Sequence, residues 1–182
     1  MRPTKTDLAA ARNATIDDVI GPDLDVLFCG INPGLYSAAT GHHFARPGNR
    51  FWPALHLSRL VPRRLEPYEQ HVLPSYGLGI TNLVARATAR ADELSPEEFR
   101  AGAERLRGLL KEIRPRLVAF AGVTAYRHAF GRPRAVIGPQ EETIGDIAVH
   151  VLPNPSGLNA HWTLPAIAEE MARLRPGPAG RA

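Results

Sequence analysis

The chain has 182 residues, enough for one domain with a substantial core, and its 44% hydrophobic and 22% charged content is ordinary for a globular protein. Its formal net charge is +4, carried almost wholly by arginine because Lys5 and Lys111 are the only lysines; this favours anionic partners, nucleic acid first. The single cysteine, Cys29, excludes an internal disulfide and any cysteine-built zinc or iron–sulfur site, and no apolar run reaches the ~20 residues of a membrane span.

Residues 1–15 are polar and carry no signal-peptide-type stretch, so a flexible N-terminal tail and a cytoplasmic location are expected. Residues 16–20 read as a short helical turn before Gly21-Pro22. Residues 25–31 form an apolar run closed by Gly30 and Pro33, which reads as a buried strand that displays Asn32 at its carboxyl end. Cys29 lies inside that run as a small buried hydrophobe. Residues 32–49 read as a long loop, and its Tyr36, Phe44 and Arg46 point to a functional one. A helix follows over 48–61, with Phe51, Trp52, Leu55 and Leu60 on related turns and Arg50 and Arg59 off that stripe; Trp52 is assigned to the core.

A short helix is expected over 66–73 and a second strand over 77–84, with Asn82 near its end. The loop 85–94 carries Arg86, Arg90, Asp92 and Glu93. Ser95-Pro96-Glu97-Glu98 is a strong helix start, since Ser95 can cap, Pro96 suits the first helical position and Glu98 completes a capping box. That helix ends at Arg114-Pro115, with Phe99, Leu106, Leu109, Leu110 and Ile113 on its apolar face and Arg105, Arg107 and Lys111 on its solvated one. Residues 117–122 are the next buried strand, 123–130 a helix stopped by Gly131, 147–152 a further strand and 163–175 the last helix, before a loose tail over 176–182. Strands alternating with helices predict an α/β protein, one domain over 16–175, with a parallel-type sheet covered on both faces.

Two strands end alike, in Gly30-Ile31-Asn32-Pro33-Gly34 and in Asn154-Pro155-Ser156-Gly157-Leu158. In a parallel sheet both open onto the same edge, where ligands bind. Proline fixes φ, glycine permits close approach, free turn N–H groups bind anions, and asparagine offers both a donor and an acceptor. The pair predicts a cleft for a polar, planar or phosphate-bearing ligand. The seven histidines show no metal-ligand spacing, and no Walker-type or Gly-x-Gly-x-x-Gly signature is present.

The first motif, extended by Leu35, Thr40-Gly41, Phe44-Ala45 and Asn49-Arg50-Phe51-Trp52, resembles the first motif block of the mismatch-specific uracil/thymine DNA glycosylases. Leu152-Pro153-Asn154-Pro155-Ser156-Gly157-Leu158 resembles their second block, and the likeness spans residues 25–174. The resemblance implies a single-domain three-layer α/β/α sandwich with a central, mainly parallel sheet. It implies a monomeric, monofunctional enzyme that needs no metal or cofactor, works at the nucleoid, and hydrolyses the N-glycosidic bond of a flipped base in double-stranded DNA with U:G or related mismatches. Asn32 would hold the attacking water, while Ile31, Phe44, Ser37 and Asn154 would bind the base. Gly157 and Leu158 would form the wedge that fills the gap in the stack, positioned by Asn154 and Ser156, with Pro155, Asn159, Arg46 and Arg86 also in the DNA-binding set. An apolar side chain on a rigid turn suits insertion between bases, and an aromatic ring suits stacking on one.

Asn32 is neutral and can orient water but not deprotonate it strongly, so the leaving base must be a good one. Asp92, with Glu93 in reserve, is the carboxylate expected to compensate, against its reading as a solvated loop or cap residue. Asn159-Ala160-His161 stands where relatives often carry a basic residue, which leaves opposite-base selectivity open, as it does the range of excised bases. A single cysteine rules out the iron–sulfur branch of the superfamily. The remaining alternative is a catalytically inert module that binds damaged or single-stranded DNA.

Overall fold

The computed structural model describes residues 2–176. Five strands form one sheet: β1 Val26–Gly30, β2 Leu78–Asn82, β3 Leu117–Ala121, β4 Gly138–Pro139 and β5 Ala148–Leu152. Their order is β2-β1-β3-β5-β4; all neighbours are parallel except the two-residue edge strand β4, which runs antiparallel to β5. Every residue of β1, β2 and β3 is buried, as expected of strands covered on both faces.

Alternation along the strands sorts their side chains into two cores. Val26 and Phe28 of β1 join Ile80 and Ala119 in one core, under α3 (Phe51–Leu57) and α6 (Leu164–Ala172). Leu27 and Cys29 join Val118, Phe120 and Val151 in the other, under α4 (Pro96–Ile113) and α5 (Val123–Phe130). This is the three-layer α/β/α sandwich. Burial of the Cys29 thiol raises its pKa, so it stays a neutral packing group.

The capping box at the start of α4 is present: Ser95 Oγ accepts from the Glu98 N–H at 3.2 Å, and a Glu98 carboxylate oxygen accepts from the Ser95 N–H at 2.9 Å. Four local expectations are corrected. Within 1–15, helix α1 (Lys5–Ala10) is formed, opened by a Thr4–Asp7 capping box and packed on the segment Leu35–Thr40, so the N-terminal tail carries structure. Residues 16–20 make no helical turn; Val19 pairs with Ile80 in an isolated antiparallel bridge. The loop 32–49 contains α2 (Leu35–Thr40), ended by Gly41 at φ +74°. The stretch over 66–73 is a 3₁₀ segment, Pro67–Tyr76. Of the C-terminal tail expected over 176–182, residues 177–182 lie outside the described residues. Among the described residues no helix is long and apolar enough to cross a membrane.

The chain runs from β1 to β2 on one side and then crosses back to β3 on the other side of β1, so the sheet has a switch point beside β1. A crevice forms beyond the carboxyl ends of strands at such a point. Both Asn-Pro motifs open into it, Asn32 after β1 and Asn154 after β5.

Candidate active site

A cavity of about 180 Å³ lies at that edge, lined among others by Ile31, Asn32, Phe44, Asn82, Thr88 and Asn154. A broader groove of about 750 Å³ adjoins it, shares Ile31, Arg46 and Asn154, and runs past Leu158 and Trp162.

The orientation of Asn32 follows from its partners. Its Nδ2 donates to the Arg86 carbonyl at 2.9 Å and to Thr88 Oγ1 at 2.8 Å. The Thr88 hydroxyl spends its own hydrogen on the Arg90 carbonyl at 2.8 Å, so it can only accept from Asn32. Both amide hydrogens are thereby consumed, and Oδ1 remains as an unshared acceptor on a cavity-lining side chain.

Asn82 closes the floor. It sits at the end of β2, in register with Gly30 of β1. A Cβ on Gly30 would fall 2.5 Å from Asn82 Oδ1, so a larger residue there would push the Asn82 carboxamide out of place, while the Phe44 ring at 3.5 Å would be in ordinary contact. Asn82 Nδ2 bonds to His43 Nδ1 at 3.2 Å, and His43 Nε2 bonds to the Asp17 carbonyl at 2.9 Å. A carbonyl only accepts, so Nε2 carries the proton, Nδ1 accepts, and Asn82 keeps Oδ1 for a ligand. Arg105, expected on a solvated face, instead reaches the edge of β2, donating to the Asn82 carbonyl and to Thr81 Oγ1. It braces the backbone that carries Asn82.

Burial is the main cause that lowers the His43 pKa below its ordinary value near 6.5. The sign follows from proton linkage. The unfolded chain binds the proton more readily, so stability from His43 is complete above that value and lost as pH falls below it. Protonation of Nδ1 would also break the bond to Asn82. We expect the urea midpoint to fall between about pH 7 and pH 5, and His43→Gln to flatten that part of the profile. A parent midpoint unchanged over this range would contradict the assignment.

Phe44 stacks on Phe51, with ring centroids 4.1 Å apart and planes 18° apart. One face is thus occupied, and the ring lines the cavity as well. Phe44 holds φ at +52°, an uncommon conformation for a non-glycine residue. The next residue is anchored by Ser37, whose Oγ accepts from the Ala45 N–H at 3.1 Å. Ser37 therefore lines the cavity and also fixes the turn that presents Phe44.

In the second motif, Asn154 Oδ1 accepts from the Ser156 N–H at 3.0 Å, and Ser156 Oγ from the Leu158 N–H at 3.3 Å. Leu158 is 76% exposed at the tip of that turn. Such exposure of a leucine held by its neighbours fits a wedge. Pro155 is buried, and its carbonyl accepts from the Arg50 N–H, so it supports the turn from beneath. The Asn159 side chain is likewise engaged inside the loop, donating to the Asn154 carbonyl at 3.0 Å and accepting from the His161 N–H at 3.3 Å.

Two expected site residues lie elsewhere. Asp92 does not line the cavity; its side chain is 61% exposed and paired with Arg90 on a 3₁₀ turn, Ala91–Glu93. Arg86 turns away from the edge. Its guanidinium holds both oxygens of Glu98, whose carboxyl is driven down to about 2, and reaches Asn13 Oδ1 at 3.1 Å. What Arg86 gives to the site is its carbonyl, which orients Asn32. Arg46 does stand at the mouth, lining both the cavity and the groove, with no ion pair among the described residues. Among those residues no group of three or more His, Cys, Asp or Glu side chains is placed to hold a metal ion.

Asn82, Thr88, His43 and Arg50 carried no expected site role, although Asn82 was placed near its strand's end. Thr88 and His43 act through partners distant in the chain, and only the polar loops that carry them hinted at function. Arg50, expected off the apolar stripe of its helix, instead grips the second-motif loop.

Two comparisons with known proteins bear on the family and the fold. The family model described as the uracil DNA glycosylase superfamily matches residues 18–175. The fold is similar to the solution NMR structure of a candidate uracil DNA glycosylase from Methanosarcina acetivorans. The TM-score is 0.62 at 19% identity, over 90% of this chain and 96% of that one.

Proposed function

The chain belongs to the uracil DNA glycosylase superfamily, and from that membership we propose that it excises uracil from mispaired positions in duplex DNA, as a monofunctional hydrolase. The observation that carries this reading is the unshared Asn32 Oδ1, fixed at the cavity by two donated hydrogen bonds.

A base inside a duplex is unreachable, and extruding it costs a few kcal/mol, least at a mismatch. Leu158 enters the stack in its place, while Arg46 at the mouth meets the phosphate backbone. In the cavity the base lies against Phe44. Asn82 Oδ1 accepts a hydrogen bond, so it pairs with the N3–H of uracil or thymine, whereas at N3 of cytosine it faces a lone pair. A water held by Asn32 Oδ1 attacks C1′ of the deoxyribose. The C1′–N1 bond breaks, the base departs with the bonding electrons as an N1 anion, and the water gives up a proton to solvent. Products are the free base and an abasic site.

Among the described residues no carboxylate lines the cavity, and His43 is buried and engaged on both nitrogens, so none of them is placed to act as a general base. Turnover then depends on the leaving group. Uracil, whose anion is comparatively stable, should be released faster than thymine, and mispaired uracil faster than paired uracil.

A panel of U·G, U·A, T·G and C·G duplexes tests the reading, with abasic sites scored by alkaline cleavage. Release is expected in the order U·G, then U·A and T·G, with none from C·G. Excision of cytosine would contradict the role given to Asn82, and equal rates on U·G and U·A would contradict the mispair preference.

A further inference from the structure

Arg50 stands between two loops that face the same edge. Its backbone N–H donates to the Pro155 carbonyl at 2.9 Å. Its Nη2 donates to the Ser156 and Asn159 carbonyls at 2.7 and 2.8 Å, its Nη1 donates to the Trp162 carbonyl, and its Nε lies 3.5 Å from the Pro155 carbonyl. No carboxylate pairs with it among the described residues. The guanidinium fork is spent on carbonyls spread along the whole turn that carries Leu158. A guanidinium offers five N–H donors in a rigid plane, which suits four acceptors at fixed positions; an ammonium has three on a flexible stem.

A separate observation marks the same junction. Gly157 approaches the first loop so closely that a Cβ there would fall 2.7 Å from the Gly48 carbonyl oxygen. The two loops are thus pressed together on one side and tied by Arg50 on the other.

We propose that Arg50 is a positioning residue for base extrusion: it locks the turn 155–162 onto residues 48–50 and so sets the height and angle at which Leu158 enters the base stack. The inference rests on the glycosylase reading above and adds the part of the reaction that Arg50 serves. A wedge must push against stacked bases, and a turn free to bend would yield before the stack does. Extrusion is needed only where the uracil is stacked in a duplex. Loss of Arg50 should therefore slow excision of stacked uracil far more than excision of uracil already outside the helix.

The test measures single-turnover uracil release from a U·G duplex and from the same duplex with the uracil in a bulge. Arg50→Gln and Arg50→Lys are expected to be slower on U·G by on the order of 10²-fold, and slower on the bulge by less than about 3-fold. Leu158→Ala should show the same split, and combining it with Arg50→Gln should add little, because both act on one step. A 2-aminopurine beside the uracil should brighten when the parent binds and stay dark with the Arg50 variants, though they still bind DNA. If Arg50→Gln does not fold, Gly157→Ala displaces the same turn with Arg50 intact and is expected to give the same split.

Equal losses on the two substrates, or full duplex activity in the Arg50 variants or in Gly157→Ala, overturn this inference and leave the glycosylase reading standing. A parent protein that releases uracil from neither substrate overturns both.

Discussion

Asn32→Ala is expected to slow uracil release from a U·G duplex by on the order of 10³-fold under single-turnover conditions, the cost of losing a preorganised polar group at the reacting centre. Asn32 is held by the Arg86 carbonyl and by a Thr88 hydroxyl that can only accept from it. Its Oδ1 therefore needs no reorientation to receive a water. Truncation removes that acceptor, and no neighbouring carboxylate replaces it. Asp92→Ala is the matched comparison: Asp92 is exposed and paired with Arg90, so release should stay within about 2-fold of the parent. Thr88→Val, which removes one of the two acceptors that hold Asn32, should fall between them. Full activity in Asn32→Ala, or a large loss in Asp92→Ala, would reverse the assignment.

Asn82→Ala should produce the second large effect, about 10²-fold slower release of uracil, because a site built to hydrogen-bond its substrate loses that pairing. The carboxamide is fixed by a relay from the Asp17 carbonyl through His43, which leaves Oδ1 as the group offered to the base. The variant should also shrink the gap between uracil and cytosine, as measured by competition between U·G and C·G duplexes. An unchanged preference would mean that backbone groups alone read the base. Gly30→Ala should be at least as damaging, since its Cβ would strike Asn82 Oδ1 at 2.5 Å.

How far the sequence revealed this molecule depended on how local each signal is. The apolar run of β1 and the Ser95–Glu98 box of α4 lie within a few residues, and both elements formed as expected. Helix α2 is six residues long, lacks a side-chain cap and buries only Ser37, so it carries no apolar stripe to read. Helix α1 buries no residue, and its capping box was the one local clue. Strand β4 is two residues long and exists through pairing with β5.

The same contrast holds at the site. Asn32, Phe44, Asn154 and Leu158 sit in short motifs whose composition betrays a strand-end turn, and the structure brings all four to one edge. Arg50 lies in the quoted Asn49-Arg50-Phe51-Trp52 motif, but its role was not legible there, because its partners lie more than a hundred residues away in the chain. Arg86 and Asp92 were misplaced for a related reason. A charged loop residue suggests a ligand until its partner is known, and here Glu98 and Arg90 are those partners.

The most direct measurement follows free base and sugar together. Purified protein is incubated in excess with a U·G duplex, and released uracil is quantified alongside abasic sites. Free uracil is expected in stoichiometric amount with abasic sites, at a rate that collapses in Asn32→Ala. Salt-sensitive binding of the duplex with no uracil released would contradict it and leave a protein that recognises damage without removing it.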